Sequence, residues 1–380
     1  MKYMGSKRAM LQNGLGTLLA KEVVKSKRFV DLFAGSGAVA SHVARKYSIP
    51  VIAYDLQRYS VVLSDAILKR RKKIEWEAIW YAWHERAIRN LKRATAPELN
   101  KLTHATVAKM REWCSSRRGR PITRAYGGHY YSPQQALWID ALRSTLPSTM
   151  PNKTVALAAL IQAASKCAAA PGHTAQPFQP TRTAKPFLRI SWEQDIVQST
   201  KNSFESLSQL FAIKPGHAKV ADANNIVRAL NATDLVFIDP PYSGVHYSRF
   251  YHVLETIAVG HCGSVTGTGR YPSTDFRPRS DYSVSTKAAK ALDHLLKTLS
   301  KRRARAIVTF PDHDCSNGLS GKLVRETAAK YFVVREQLVE SRFSSLGGTG
   351  DAREDEGGRA ARKVANELIL VLRPKKHSPE

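Results

Sequence analysis

Asp239-Pro240-Pro241-Tyr242 directly follows the short apolar run Asp234-Leu235-Val236-Phe237-Ile238, which reads as a buried strand. A strand that ends this way presents three kinds of group at one sheet edge. The Asp239 carboxylate and the backbone carbonyls, that of Pro240 among them, accept hydrogen bonds. The prolines fix φ and remove two N–H donors, so these acceptors meet little local competition. Tyr242 supplies a flat face. The exocyclic amine of a nucleobase needs that set: acceptors for its N–H protons and a ring to stack on. The competing reading is an ordinary strand-terminating turn. Pro-Pro turns are common, but the whole tetrapeptide at a strand end is far more specific than its prolines.

A second stretch, Phe29 to Ala40, reads as strand, glycine turn and helix. Gly35 and Gly37 let the backbone pass close to a ligand at the head of that helix. A phosphate-binding P-loop needs Gly-Lys-Ser/Thr here, and that is absent. A dinucleotide site takes GxGxxG, and this chain has Gly35-x-Gly37 followed by Ala40. Alanine is tolerated at the last position, so the turn leaves a dinucleotide and another adenosine ligand both open. The next strand, Val51–Tyr54, leads into Asp55, an acid placed to take paired ribose hydroxyls.

Together these stretches resemble the amino-methylating DNA methyltransferases. Asp31-x-Phe33-x-Gly35-x-Gly37 is similar to their cofactor motif, and Asp239-Pro240-Pro241-Tyr242 to their catalytic motif. The N-terminal Lys2-Tyr3-Met4-Gly5-Ser6-Lys7-Arg8 resembles the segment that precedes the cofactor strand in the Dam-like, D12-class adenine methylases. The motif order, with a long insertion between cofactor and catalytic motifs, is also that of this class. The resemblance covers roughly residues 1–60 and 215–380. It implies an α/β fold: a Rossmann-like class I methyltransferase sheet of seven strands, the last antiparallel, with a mainly helical inserted recognition domain. It implies S-adenosyl-L-methionine as cofactor, bound by Tyr3, Lys7, Asp31, Phe33, Gly35, Gly37, Asp55 and Asp222. Asp31 would face the methionine amino group. Asp222 would accept from the cofactor's adenine amine, although a helix cap explains it nearly as well. The implied reaction is methylation of the N6 amine of an adenine flipped out of double-stranded DNA, with Asp239, Pro240, Pro241 and Tyr242 at the reacting base. Cytosine-N4 methylation, methylation of RNA adenine and an inactive DNA-binding subunit are the alternatives. The cytosine-N4 enzymes more often carry Ser where Asp239 stands.

Charge agrees with a polyanionic partner. The formal net charge is +28, an excess expected of a phosphate-binding surface. Between Asp65 and Tyr130 there are 16 Lys and Arg against 6 Asp and Glu, with Trp76, Trp80, Trp83 and Trp113 interleaved. Candidate DNA contacts are Lys72, Lys73, Arg117 and Arg118 in this segment and His173 in the loop Ala170–Pro177. Tyr247 and Arg249, in the aromatic and basic run after the tetrapeptide, complete the set. The run Lys69–Lys73 reads equally well as a solvated helix face.

The elements that must carry these residues fall into three stretches. Residues 1–60 and 215–380 form the catalytic core, and 61–214, rich in helical periodicity, form the inserted recognition region. The spacing predicts one helix over Lys7–Lys25 and another from strand one to Lys46. It further predicts a helix opened by Ser132-Pro133, a helix Val155–Ala168 capped by Asn152, and a long helix Ser191–Phe211. Later come a mobile loop Gly260–Ser285, strands Ala304–Phe310 and Phe332–Val339, a polar loop Gly347–Arg362 and a closing strand Val364–Leu372 that pairs as a hairpin. Cys114, Cys167, Cys262 and Cys315 show no metal-ligand spacing and no disulfide frame. No apolar run approaches the length of a membrane span. The chain reads as a cytoplasmic monomer of bacterial or phage origin, with a cognate restriction endonuclease as a candidate companion.

Overall fold

The computed structural model describes residues 7–91, 95–344 and 362–375. Within them the chain divides into two compact units.

The sheet unit is drawn from Gly5–Leu56, Ala212–Tyr247 and Arg279–Glu380. Its strands in chain order are β1 (Arg28–Asp31), β2 (Val51–Asp55), β3 (His217–Val220) and β4 (Asp234–Ile238). The two-residue strands β5 (Val265–Thr266) and β6 (Tyr271–Pro272) belong to the other unit. Then follow β7 (Arg305–Pro311), β8 (Phe332–Ser344) and β9 (Arg362–Pro374). They form a seven-stranded sheet in the order β3-β2-β1-β4-β7-β9-β8. β1 pairs in parallel with both β2 and β4, so strand order reverses at the β1–β4 seam. β9 runs antiparallel between β7 and β8, which is the seven-strand arrangement with a final antiparallel strand that the family resemblance implies. β4 is buried along its whole length, as its unbroken apolar run requires in a parallel sheet covered on both faces. Arg28 at the start of β1 donates two hydrogen bonds to the fully buried Asp234 at the start of β4, at 2.8 and 2.7 Å. That pair fixes the register of the seam.

One helix was expected over Lys7–Lys25. Two are found, Arg8–Gln12 and Leu15–Val23, because Gly14 between them takes φ +101°, a backbone angle that ends a helix.

The helical unit is built from Gln57–Phe211 and Ser248–Pro278. The first piece lies within four residues of the expected 61–214 at each end. The second interrupts the stretch expected to be continuous core. Helix His252–Val259 explains it: Val253, Leu254 and Ile257 are buried, and the Thr256 hydroxyl lies 2.9 Å from that of Tyr126. The stretch Gly260–Ser285, read as a loop, contains the β5–β6 hairpin, and the Tyr130 hydroxyl donates to its Gly269 carbonyl at 2.9 Å. At the centre of this unit, helix Asn152–Cys167 is buried on nearly every side. Asn152 is its first residue and Pro151 its cap. Ser132 caps Pro133–Ser144 reciprocally with Gln135, as the sequence predicts. The expected Ser191–Phe211 helix is split into Lys185–Trp192 and Ile196–Ser208, since Asp195 accepts from the N–H groups of Val197 and Gln198 and starts a new helix.

Leu370 is fully buried on β9, paired with Val308 on one side and Glu336 on the other. Leu370→Ala should lower unfolding free energy by about 2–5 kcal/mol, read as a reduced denaturant midpoint at unchanged slope.

Candidate active site

The parallel strands β1, β2, β3 and β4 end at one edge of the sheet, and each is followed by, or ends in, an aspartate: Asp31, Asp55, Asp222 and Asp239. Ligands of open α/β sheets bind outside these carboxyl ends, where the strand order reverses. Asp31 and Asp239 flank that seam.

On the β1 side the chain turns sharply. Gly35 and Gly37 take φ +52° and +70°, left-handed angles that favour glycine, and Gly37 caps helix Ala38–Lys46. The Gly35 N–H donates to Asp55 Oδ2 at 2.8 Å, tying the turn to the end of β2. The Phe33 N–H donates to Asp31 Oδ1 at 3.2 Å, and the Phe33 ring meets Tyr282 edge-on at 5.2 Å. Asp31 is 1% exposed. Burial pushes its carboxyl up to about 8 against the Phe33 hydrogen bond, and Asp239 and Asp55 add to the rise. A cationic ligand group is the natural partner for such a carboxyl. Asp222 caps its helix by accepting from the Asn224 N–H at 2.8 Å, the helix-cap role considered from sequence.

On the β4 side, Asp239 Oδ1 accepts from the Thr309 hydroxyl of β7 at 2.9 Å and lies 3.0 Å from Lys7 Nζ. Lys7 also pairs with Glu367 of β9. Lys7 and Glu367 are buried at 5% and 3%. Burial alone would lower the lysine's pKa, but the Asp239 and Glu367 carboxylates outweigh it and hold the ammonium charged. Burial pushes the Asp239 carboxyl up to about 6, with Lys7 opposing and Glu367 adding to the rise. Pro240 is buried, and the Pro241 carbonyl accepts from Asn317 Nδ2 at 2.8 Å. The same amide nitrogen donates to the Tyr282 carbonyl at 2.8 Å. Tyr242 is half-buried and meets Tyr247 edge-on at 6.2 Å.

The sheet unit therefore brings Lys7, Asp31, Phe33, Gly35, Gly37, Asp55, Asp222 and the tetrapeptide to one edge. Tyr3 lies outside the described residues. Glu367, Thr309, Asn317 and Tyr282 were not singled out from sequence. Glu367 left a signal, a carboxylate inside the apolar run of the closing strand, where an unpaired charge is rarely buried. Asn317 and Thr309 left none, because only the fold brings them to the turn.

The candidate DNA contacts are scattered over several elements. Lys72 and Lys73 are exposed between helices, Lys73 lying 3.1 Å from Glu75. Arg118 is exposed, and the Arg117 guanidinium lies 4.3 Å over the Trp113 ring. Arg249 is exposed over Tyr271 at 4.4 Å. His173 is buried at 8% against Phe250, its Nδ1 accepting from the Ala175 N–H. In the basic run, Arg70 is buried and binds the carbonyls of Leu207, Ser208 and Leu210 at a helix end, a structural cap. Trp80 and Trp83 are core residues packed edge-on, with Phe204 against Trp83.

A family model of the D12 class N6 adenine-specific DNA methyltransferases matches residues 3–100 and 189–308, more than half of the chain. The chain is 24% identical to Modification methylase LlaI of Lactococcus lactis subsp. lactis over 317 residues, covering 79% of this chain and 44% of that protein. It is 25% identical to Modification methylase StsI of Streptococcus sanguinis over 325 residues, covering 79% and 42%. Type II methyltransferase M.NlaIII of Neisseria lactamica is 27% identical over 281 residues, covering 68% and 69%. The chain thus spans less than half the length of the LlaI and StsI methylases.

Asp31 gives a pH dependence of definite sign. Its folded pKa, about 8, lies above the usual 3.8, so between these values the folded chain holds a proton that the unfolded chain has released. Stability is lost as pH rises through that window. Asp31→Asn removes the titration. Its melting temperature relative to the parent should climb from about pH 4 to about pH 8 and then level. A gap that does not change with pH contradicts the assignment.

Proposed function

The chain belongs to the D12 class of N6 adenine-specific DNA methyltransferases, and we propose that it transfers a methyl group from S-adenosyl-L-methionine to the N6 amine of an adenine flipped out of double-stranded DNA. The observation that carries the reading is the placement of Asp239-Pro240-Pro241-Tyr242 beside the Gly35-x-Gly37 turn at the β1–β4 seam.

The residues on the β1 side fit this cofactor. Asp31 is a buried carboxyl with a backbone N–H on one oxygen, suited to an ammonium group. Gly35 and Gly37, at positive φ, let the turn's backbone approach a ligand closely. Asp55 stands at the end of β2, where ribose hydroxyls are bound in related sheets. Bound there, the sulfonium supplies an electrophilic methyl group, and the protein supplies alignment.

On the β4 side the chemistry belongs to the chain's own groups. The adenine amine is a weak nucleophile because its lone pair is shared with the ring. Asp239 and the Pro240 carbonyl accept its two N–H protons and let the nitrogen pyramidalise. As the N–C bond forms and the S–C bond breaks, positive charge builds on nitrogen, and these acceptors stabilise it where it develops. The methylated nitrogen then gives up one proton, which the Asp239 carboxylate can accept and pass to solvent. Tyr242 stacks on the base. Taking the base out of the helix costs a few kcal/mol, comparable with one base–aromatic stack of about 1–3 kcal/mol.

Lys72, Lys73, Arg117, Arg118 and Arg249 would bind phosphates on the helical unit, with Tyr247 near the extruded base. His173, buried, is better suited to shaping its loop than to meeting a phosphate. The reading implies work in the cytoplasm, from a bacterial or phage gene, with a cognate restriction endonuclease as a candidate companion. An adenine product is favoured over cytosine by the aspartate at position 239.

Asp239→Ala should lower kcat by at least about 10²-fold while calorimetric cofactor affinity stays within a few-fold. The assay follows labelled methyl into duplex DNA and identifies the methylated nucleoside; near-normal turnover removes Asp239 from the mechanism. Neutralising Lys72 and Arg118 together should weaken binding to all duplexes alike and reduce the salt slope by about one unit per lost phosphate contact. An unchanged slope excludes this surface from phosphate binding.

A further inference from the structure

Glu367 is a buried carboxylate that the reaction as described does not use. It lies on β9 at 3% exposure, followed directly by the fully buried Leu368, Ile369 and Leu370. It is paired in register with Pro311 of β7 and Val339 of β8, so it stands one strand beyond the strand that carries Thr309. Its side chain takes Lys7 Nζ, and the same ammonium lies 3.0 Å from Asp239 Oδ1. Two carboxylates thus share one cation inside the sheet edge, a cluster of formal charge −1.

Fold stability does not account for such a cluster. Replacing a buried ion pair or triad by apolar groups of similar volume is often neutral or stabilising. The cluster makes chemical sense at an acceptor site. A lysine devoted to Asp239 alone would neutralise the carboxylate and weaken it as a hydrogen-bond acceptor. A second carboxylate draws the ammonium back and leaves net negative charge at the place where positive charge must develop.

We propose that Glu367 is a positioning residue for methyl transfer: by sharing Lys7 with Asp239, it sets the orientation and acceptor strength of the Asp239 carboxylate. This rests on the methyltransferase reading. Among the described residues, the charged and titratable groups facing Asp239 are Lys7 from the N-terminal segment, Glu367 from β9, Asp31 from β1 and Tyr242 from its own turn. Thr309 of β7 donates the remaining hydrogen bond. The negative charge of Glu367 disfavours ionisation of Asp239, whose carboxyl stands near 6.

The test is the pH profile of kcat for methyl transfer to duplex DNA. In the parent chain the acid limb should fall near pH 6, where Asp239 titrates; a limb below about pH 5 overturns the proposal. Glu367→Gln keeps the size and an oxygen for Lys7 but removes the charge. Its acid limb should move down by about 0.5–1 unit and its plateau kcat should drop by about tenfold, with calorimetric cofactor affinity within twofold of the parent. A lowered kcat with an unmoved limb makes Glu367 merely structural. Should Glu367→Gln fail to fold by circular dichroism, Glu367→Asp serves. It retains the charge, so its limb should stay with the parent's, and a shifted limb overturns the proposal. Failure of the underlying reading is a different result: the parent itself would transfer no methyl group to DNA.

Discussion

The parallel pairing of β1 with β4 is the constraint on which the rest of the structure depends. Phe29 aligns with Leu235 and Asp31 with Phe237, so both strands run out at the same edge within two residues of each other. The chain builds outward from this seam in opposite directions, first through β2 to β3 and then through β7. Such a reversal of strand order leaves a crevice between the strand ends. A glycine turn on one side and a proline turn on the other leave it lined by carboxylates. The seam's far end is fixed by Arg28 on the buried Asp234, where a slip of one residue would turn every side chain of a strand to the other face.

Charge is sorted in this chain. The molecule carries a formal +28, yet the sheet edge sets Asp239 and Glu367 on one lysine, Lys7, with Asp31 and Asp55 at the ends of the neighbouring strands. The overall excess acts at long range on a polyanion and is screened over about 8–10 Å in physiological salt. The local deficit acts at contact distance in a buried place, where screening is weak. The two can therefore serve opposite purposes, drawing a phosphate backbone toward the protein while favouring cationic groups at the chemical centre.

Much of the parallel sheet was legible because its strands are short, apolar at their centres and punctuated by aspartates: β1, β2 and β4 each fall within a residue of the run that announced them. The closing hairpin was legible from its two β-rich runs on either side of a polar, glycine-rich stretch, although the first strand runs past the expected Val339 and the second starts before the expected Val364. Helix ends were harder. Gly14 and Asp195 each divide a periodic run whose hydrophobic pattern continues across the break, so periodicity alone could not show that the chain restarts there. The tryptophans misled in a different way. Trp80 and Trp83 stand in the most basic part of the sequence, yet their bulk goes into the core of a helical unit, and Arg70 in the same run binds main-chain carbonyls. Composition reports what a segment contains and is silent on which side of a helix each residue occupies. The tetrapeptide and the glycine turn were legible as chemistry. The groups that hold them, Asn317, Thr309 and Glu367, come from distant strands and loops and become visible only when the sheet is assembled.

The position of β9 has a consequence for how the molecule comes into being. Strands of this sheet are not laid down in spatial order: β8 is synthesised before β9, yet among the described residues its neighbour in the sheet is β9. Lys7 meets its Glu367 partner 360 positions later in the sequence. A chain growing from the ribosome can pair β1 with β2 and later with β4 while β7 still lacks one of its flanks. Throughout that interval Lys7 has Asp239 available and no second carboxylate, and contacts of such long sequence separation form late. The Lys7 cluster therefore cannot be complete before β9 is made, whereas both motifs are already present in the growing chain.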